Sequence, residues 1–287
     1  MHRPGPPNKP AVWVTGANGL IGSHFLHLAK VLVPQWHVIP IVRAEFDLAD
    51  SRAVVTAFQK DRPKLIIHCA ALSRSPECQA NPALAHKLNV EVTEFLADLA
   101  TDISFIFFST DLVFDGKKGD YHEMDAPNPL SVYAETKVIA ERHVLRNPQH
   151  TVIRTSLNAG PSLQGDRGMD EQMLSALRIG KTLHLFTDEF RTPIPAEGTA
   201  RAVWQLAQQK ATGIYHVAGA ERLSRWQLGE LICERFPGYR AQIHASSLNT
   251  YQGAPRSPDT SLNCAKAQAL LSFPLPKFSE WWRQSNV

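Results

Sequence analysis

The amino-acid sequence predicts an α/β protein, a doubly wound parallel sheet with a smaller C-terminal lobe. Three observations carry this expectation. An apolar strand at the start of Ala11–Gly22 (AVWVTGANGLIG) runs into three glycines and then a helical spacing of apolar residues. Short strand candidates then alternate with helices as far as Thr151–Arg154 (TVIR). The run Ile103–Phe108 (ISFIFF) is apolar but for Ser104, as expected of a parallel strand covered on both faces.

A length of 287 residues accommodates a full α/β core and a second lobe. Hydrophobic residues make up 44% and charged residues 20%, the balance of a soluble globular chain. The net charge of +3 is small and no basic run appears, which argues against a nucleic-acid partner. No apolar run approaches the ~20 residues that span a bilayer, so no membrane role is expected. Met1–Pro10 (MHRPGPPNKP) has no apolar segment of the secretory kind and reads as a disordered tail. Cys69, Cys78, Cys233 and Cys264 lack metal or CxxC spacing, and no histidines pair at ligand spacing. Reduced thiols, no metal and a cytoplasmic protein are expected.

The glycine turn is the first candidate site. Gly16 permits a conformation that a Cβ would strain. Gly19 lets the backbone approach a pyrophosphate, and Gly22 lets the helix pack close on its strand. Gly16, Asn18, Gly19, Leu20, Ile21 and Gly22 are therefore the expected cradle of a dinucleotide, whose pyrophosphate would face the N-terminus of the helix, as in a Rossmann-type sheet. Arg43 directly follows the second strand, His37–Val42, where an acid would bind the ribose of NAD. An arginine there suits the extra phosphate of NADP, so NADP(H) is expected over NAD(H). Asp47 can cap the helix starting near Ser51.

The third strand, Leu65–Cys69, ends in Ala70 and Ala71. Cys69, Ala70 and Ala71 would let a cofactor lie against the C-terminal edge of the sheet. Pro82 opens a helix predicted to run through Asn89 to about Ala100. The fourth strand delivers Ser109-Thr110-Asp111. Asn128 and Pro129 suit the start of the next helix, which carries Tyr133 and Lys137. Beyond Arg154 the alternation loosens. Helices are expected at Met169–Ile179, Thr199–Gln209, Leu223–Phe236 and near Cys264–Leu271, with strands at Leu183–Phe186 and Gly213–Val217.

Tyr133 and Lys137 are one helical turn apart and share a face. A lysine beside a tyrosine favours its phenolate, and the tyrosine can give a proton to a carbonyl oxygen. An isolated Tyr-x-x-x-Lys is commonly a surface pair. Here it follows Ser109-Thr110 at a strand end, behind a glycine turn. Thr110 is the expected third catalytic member, its hydroxyl reaching the same carbonyl oxygen.

The glycine spacing resembles that of extended short-chain dehydrogenases/reductases. More narrowly, TGANGLIG, FDLAD, CAALS, STDLVFDG, YAETK and Arg256–Lys266 (RSPDTSLNCAK) resemble the dTDP-4-dehydrorhamnose reductase (RmlD-like) family. The resemblance implies an NADP(H)-dependent reductase of a keto group on a nucleotide sugar, with Thr110, Tyr133 and Lys137 catalytic. It places Asp47-Leu48 at the adenine, Ser109 at the cofactor, and Asp111, Arg191 and Arg256 at the substrate. Arg256 would meet a diphosphate, held in orientation by Asp259. Asn89 would serve a structural role. The implied division is residues 11–154 for the cofactor domain, with 183–217 returning to it, and 155–182 with 218–287 for the substrate lobe. Leu112 and Leu157 replace aromatic residues of that family. The late segment also resembles the regulatory β subunit of methionine adenosyltransferase, which makes a non-catalytic NADP-binding partner the alternative. Trp281-Trp282 reads as packing or as a contact in a homodimer.

Overall fold

The computed structural model describes residues 9–253 and 255–285. Most of the proline-rich tail, residues 1–8, lies outside the described residues. Chain order begins β1 (Ala11–Thr15), α1 (Leu20–Leu32), β2 (His37–Ile41), α2 (Ser51–Asp61) and β3 (Leu65–His68). Short helices α3 (Ser75–Ala80) and α4 (Pro82–His86), a π-helical turn at Lys87–Glu91 and α5 (Val92–Leu99) lead to β4 (Ser104–Thr110). Helix α6 (Val132–Val144) and β5 (Thr151–Thr155) complete the regular alternation.

These strands form one parallel sheet in the order sixth strand, β5, β4, β3, β1, β2. The order in which successive strands are added reverses between β1 and β3, which opens a crevice beyond their C-terminal ends. One face of the sheet packs on α1, through Phe25 and Val33, with Val12, Val14, Ile67 and Phe108 from the strands. The other packs Trp13, Ile66, Phe105 and Phe107 against Val54, Leu96 and Val144. Strands β3 and β4 are thus buried on both faces, which is why ISFIFF carries no polar alternation.

The second half continues with β6 (Asn158–Ala159), α7 (Met169–Arg178), β7 (Leu183–Phe186), β8 (Phe190–Arg191) and β9 (Ile194–Pro195). Then follow α8 (Ala196–Gln208), β10 (Gly213–His216), β11 (Leu223–Ser224), α9 (Arg225–Arg235), β12 (Ile243–Ser246), α10 (Ala265–Gln268) and α11 (Phe278–Gln284). Strand β10 is the sixth strand, parallel to β5. Of the segment 183–217 expected to rejoin the sheet, β7 does not: it pairs with β12 in the second lobe. Helix α8 does return, packing Trp204 on Phe25 with ring centroids 5.1 Å apart. The second lobe has its own core, in which Trp282 is buried and donates to the Leu231 carbonyl at 2.8 Å.

Local chemistry shifts several expected boundaries. Asp50, not Asp47, caps α2, accepting from the Arg52 and Ala53 amides. Asp47 instead accepts from the Ala49 amide at 3.0 Å. Helix α6 is capped by Ser131, while Asn128 donates to Asp115 at 3.0 Å. The helix begun at Pro82 runs on to Leu99 as expected, with a π turn at Lys87–Glu91 where the side chain of buried Asn89 reaches another segment. Its amide accepts from the Leu72 N–H at 2.8 Å and donates to the Leu72 carbonyl at 3.0 Å.

Candidate active site

One cavity of about 1310 Å³ runs along the C-terminal edge of the sheet and into the second lobe. Every site residue singled out in the sequence lines it. Gly16, Asn18, Gly19, Leu20, Ile21 and Gly22 form one end, with Arg43, Asp47 and Leu48 at the rim beside them. Cys69, Ala70, Ala71 and Ser109 form the floor, and Thr110, Asp111, Tyr133 and Lys137 the centre. Arg191 and Arg256 lie at the second-lobe end.

The glycine turn is closed too tightly for side chains. Gly16 has φ +64°, and a Cβ there would stand 2.8 Å from the Ala70 nitrogen. A Cβ on Gly22 would come within 2.2 Å of the Gly16 carbonyl oxygen. The N-terminus of α1 carries no side-chain cap, so its first amides face the cavity without an internal acceptor. Buried histidine chemistry fixes the floor. Thr93 donates to the Asn89 carbonyl and therefore accepts from His68 Nε2 at 3.2 Å. That leaves His68 Nδ1 to accept from the Thr15 hydroxyl at 2.7 Å. Thr15 in turn accepts from the Ala70 amide at 3.2 Å, holding the strand end under the cavity. Burial lowers the His68 pKa to about 3, so this ring stays neutral.

These features fit a dinucleotide on the structure's own terms. The uncapped helix offers amides and a positive dipole end to a diphosphate. The hydroxyl of Ser109 is buried on the floor with no hydrogen-bond partner among the described residues. Arg43, with a side chain 85% exposed at the rim, lies 3.7 Å from Asp47.

At the centre, Tyr133 sits on α6 with its phenol turned inward. Burial first, then the Asp111 carboxylate and Cys78, push its pKa above the ordinary tyrosine value, and a hydrogen bond with Thr110 opposes them. The sequence led us to expect Lys137 to lower it. Lys137 is buried instead, 3% exposed, with its ammonium over the Phe107 ring. Burial lowers its own pKa to about 8, against the pull of Glu141, Cys69 and Cys78. Thr110 directs its proton to Asp111 Oδ1 at 3.2 Å and accepts from the Leu112 amide at 3.2 Å. Donation by Thr110 to a carbonyl therefore requires its hydroxyl to rotate.

Asp111 is more central than the sequence suggested. Its carboxylate accepts from Ser156 at 2.9 Å and from Thr260 at 2.8 Å, and Arg191 Nε lies 3.6 Å away. Arg191 is no solvated arginine: it is 4% exposed and donates to the carbonyls of Phe190 and Ser257 at 2.6 and 3.0 Å. Arg256 was expected to pair with Asp259. It pairs with Glu189, Nε to Oε2 at 2.6 Å and NH2 to Oε1 at 2.9 Å. Asp259 is taken by Arg222 at 2.7 Å. Leu112 and Leu157 both line the cavity, as their place beside Thr110 and Ser156 requires.

Sequence reasoning missed Glu189, Arg225, Ser156 and Thr260. Glu189 stands two residues before Arg191, a strand spacing that puts both on one face. Nothing local marks Arg225, which follows a helix cap and reads as a surface residue.

Comparison with known proteins agrees with this architecture. The RmlD substrate binding domain family matches residues 10–285. A probable low-salt glycan biosynthesis reductase, Agl14, from Haloferax volcanii is 33% identical over 251 residues, covering 82% of this chain and 83% of that protein. Methionine adenosyltransferase 2 subunit beta from Xenopus laevis is 29% identical over 279 residues, covering 90% and 81%. The crystal structure of dTDP-4-dehydrorhamnose reductase from Bacillus anthracis, in complex with NADP, superposes with a TM-score of 0.86 at 21% identity, covering 96% and 98%.

Proposed function

The chain belongs to the RmlD substrate binding domain family, and on that premise we propose that it is an NADP(H)-dependent reductase of a keto group on a nucleotide-activated sugar. The observation that carries this reading is the single cavity lined by the glycine turn, Thr110, Tyr133 and Lys137. Its relatives named as reductases support it. We read residues 11–154, with Gly213–His216, as the cofactor-binding part, and the second lobe as the part that receives the sugar.

When bound, the reduced nicotinamide supplies the hydride. The amides of Leu20 and Ile21 at the start of α1 hold the diphosphate, and Arg43 holds the ribose phosphate. Ser109 offers its unused hydroxyl to the cofactor from the floor. Lys137 hydrogen-bonds the ribose and brings a positive charge to the cavity floor. Tyr133 donates its phenolic proton to the oxygen of the reduced carbonyl, as general acid. Thr110, after rotation, donates to the same oxygen and stabilises the charge developing there.

The similarity to methionine adenosyltransferase 2 subunit beta favours one second reading, a cofactor-binding partner that does not turn over. The test is incubation with NADPH and a panel of nucleotide 4-keto sugars, following the absorbance of the reduced cofactor. Oxidation dependent on one sugar supports the reductase. Tight NADPH binding with no oxidation on the whole panel, together with a stable complex with a methionine adenosyltransferase catalytic subunit, would replace it with the second reading.

A further inference from the structure

Strands β8 and β11 form an antiparallel pair in the second lobe, with Leu223 opposite Arg191 and Ser224 opposite Phe190. The Arg225 amide continues that ladder, donating to the Glu189 carbonyl at 3.0 Å. Directly opposed residues project to the same side of such a pair. Glu189, Arg191 and Arg225 therefore share a face, and all three line the cavity while Phe190 and Ser224 do not.

The charges on this face are unequally used. Glu189 is 2% exposed, and its two oxygens are engaged by Arg256 at 2.6 and 2.9 Å and by Arg191 at 3.1 Å. Arg191 donates from its Nη1 to two backbone carbonyls, and its Nε approaches Asp111. Arg225 differs from both. It feels Glu189, Asp111 and the two other guanidiniums only at a distance, and among the described residues its guanidinium has no hydrogen-bond partner. Three guanidiniums against two carboxylates leave one positive charge uncompensated on the cavity wall. A half-buried guanidinium on a cavity wall, with no acceptor among the described residues, keeps its donors available to a ligand in the cavity. Its planar fork matches two phosphate oxygens.

We propose that Arg225 is the side chain that receives the diphosphate of the nucleotide sugar, and that Arg256 and Arg191 are positioning residues tied to Glu189. This rests on the nucleotide-sugar reading above and moves the anion contact away from Arg256, where the sequence had put it. Arg225 then contributes affinity common to nucleotide sugars, and the choice of sugar falls to residues around Leu112 and Leu157.

The test is calorimetric titration of dTDP and UDP, and separately of inorganic pyrophosphate, into the full chain saturated with NADP. The native protein is compared with Arg225→Gln and Arg225→Lys. The expected result is nucleoside diphosphate binding weakened about 10–100-fold by Arg225→Gln and less by Arg225→Lys, which keeps the charge but not the fork. NADP affinity, unchanged in both variants, reports that the fold is intact. Pyrophosphate competing with the nucleoside diphosphate in the native protein alone would place the contact at the phosphates. Native binding that Arg225→Gln leaves unaltered would overturn the assignment while sparing the nucleotide-sugar reading. Failure of the native protein to bind either nucleotide would overturn both.

Discussion

The ammonium of Lys137 lies 4.2 Å from the centroid of the Phe107 ring, on the buried side of the cavity floor. An aromatic face attracts a cation, but it replaces only part of the water that burial removes. Burial accordingly brings the Lys137 pKa down from 10.5 to about 8.

A pH dependence follows. A hydrogen bond from protonated Lys137 to the cofactor ribose favours the charged form, so binding pulls a proton onto this lysine above pH 8. NADPH affinity should fall as pH rises through about 8, and binding at pH 8.5–9 should take up a proton. Titration calorimetry in buffers of different ionisation enthalpy measures that uptake. Affinity flat between pH 7 and 9.5 would remove Lys137 from the contact.

The same shift has a stability consequence of opposite sign. Between about 8 and 10.5 the unfolded chain holds a proton that the folded one has released. Stability therefore rises with pH across that window, and the cost of the buried charge is fully present below it. Lys137→Met should raise Tm at pH 7 by roughly 2–6 °C, the response to removing ~1–2 kcal/mol of burial cost, while weakening NADPH binding. A scanning calorimetry trace with Tm lowered in this variant would show that Lys137 is net stabilising where it sits.

Tyr133→Phe removes one hydroxyl and keeps the ring. It should leave NADPH affinity within about twofold and lower kcat by ~10²–10⁴-fold, the usual contribution of a general acid. The phenol is held high by burial and by Asp111, so it is protonated at neutral pH and fit to donate. Stopped-flow measurement of the reduced cofactor separates the chemical step from binding. A variant with most of its activity intact would assign the proton to another group.

Arg43 directly follows the second strand, and it stands on the cavity rim with a side chain 85% exposed. Arg43→Ala should weaken NADPH by ~1–3 kcal/mol, the range for a lost charge-assisted contact, and leave NADH nearly unchanged. Exposure puts the effect at the lower end and makes it sensitive to salt. Equal affinity of the native protein for the two cofactors would remove the preference.

What the sequence made legible was whatever obeys a local rule. The glycine turn, the strand ends at Ala70 and Thr110, and the Tyr133–Lys137 helix each follow from periodicity and from residues whose backbone requirements are narrow. The charge network did not follow. Asp111, Glu189, Arg191 and Thr260 meet across 149 positions of chain, the separation of Asp111 and Thr260, and pairing over that distance is decided by topology. The same limit misdirected the partners of Arg256. Asp259 is its near neighbour in sequence, but bridging of Asp259 to Phe190 turns that carboxylate toward Arg222. The π turn at Asn89 was illegible for another reason, since it has no propensity signature and its residue serves a side-chain contact with Leu72.

A buried ion pair stands behind α6. Arg154 on β5 is 2% exposed and grips Glu141 on α6, with Nε to Oε1 at 3.0 Å and NH2 to Oε2 at 2.7 Å. Its guanidinium lies 5.0 Å from the Phe114 ring centroid and donates to the Glu123 carbonyl. Arg154 is in register with Ser109, one residue before Thr110, so the pair fixes α6 over the strand end that delivers Thr110. Two ions this deep gain little net stability together, because each has lost its hydration. Removing one leaves the other uncompensated, at a cost of ~3–5 kcal/mol. Glu141→Gln should therefore lose about that much stability in urea titration. The double change Arg154→Met, Glu141→Leu should recover most of it, since an apolar pair of similar volume has no charge to strand. Its kcat should nevertheless stay below native, because the bidentate grip that aligns Tyr133 with Thr110 is gone. A double variant no more stable than Glu141→Gln would show that Arg154 is held chiefly by Phe114 and the Glu123 carbonyl, and that the ion pair is incidental to the placement of α6.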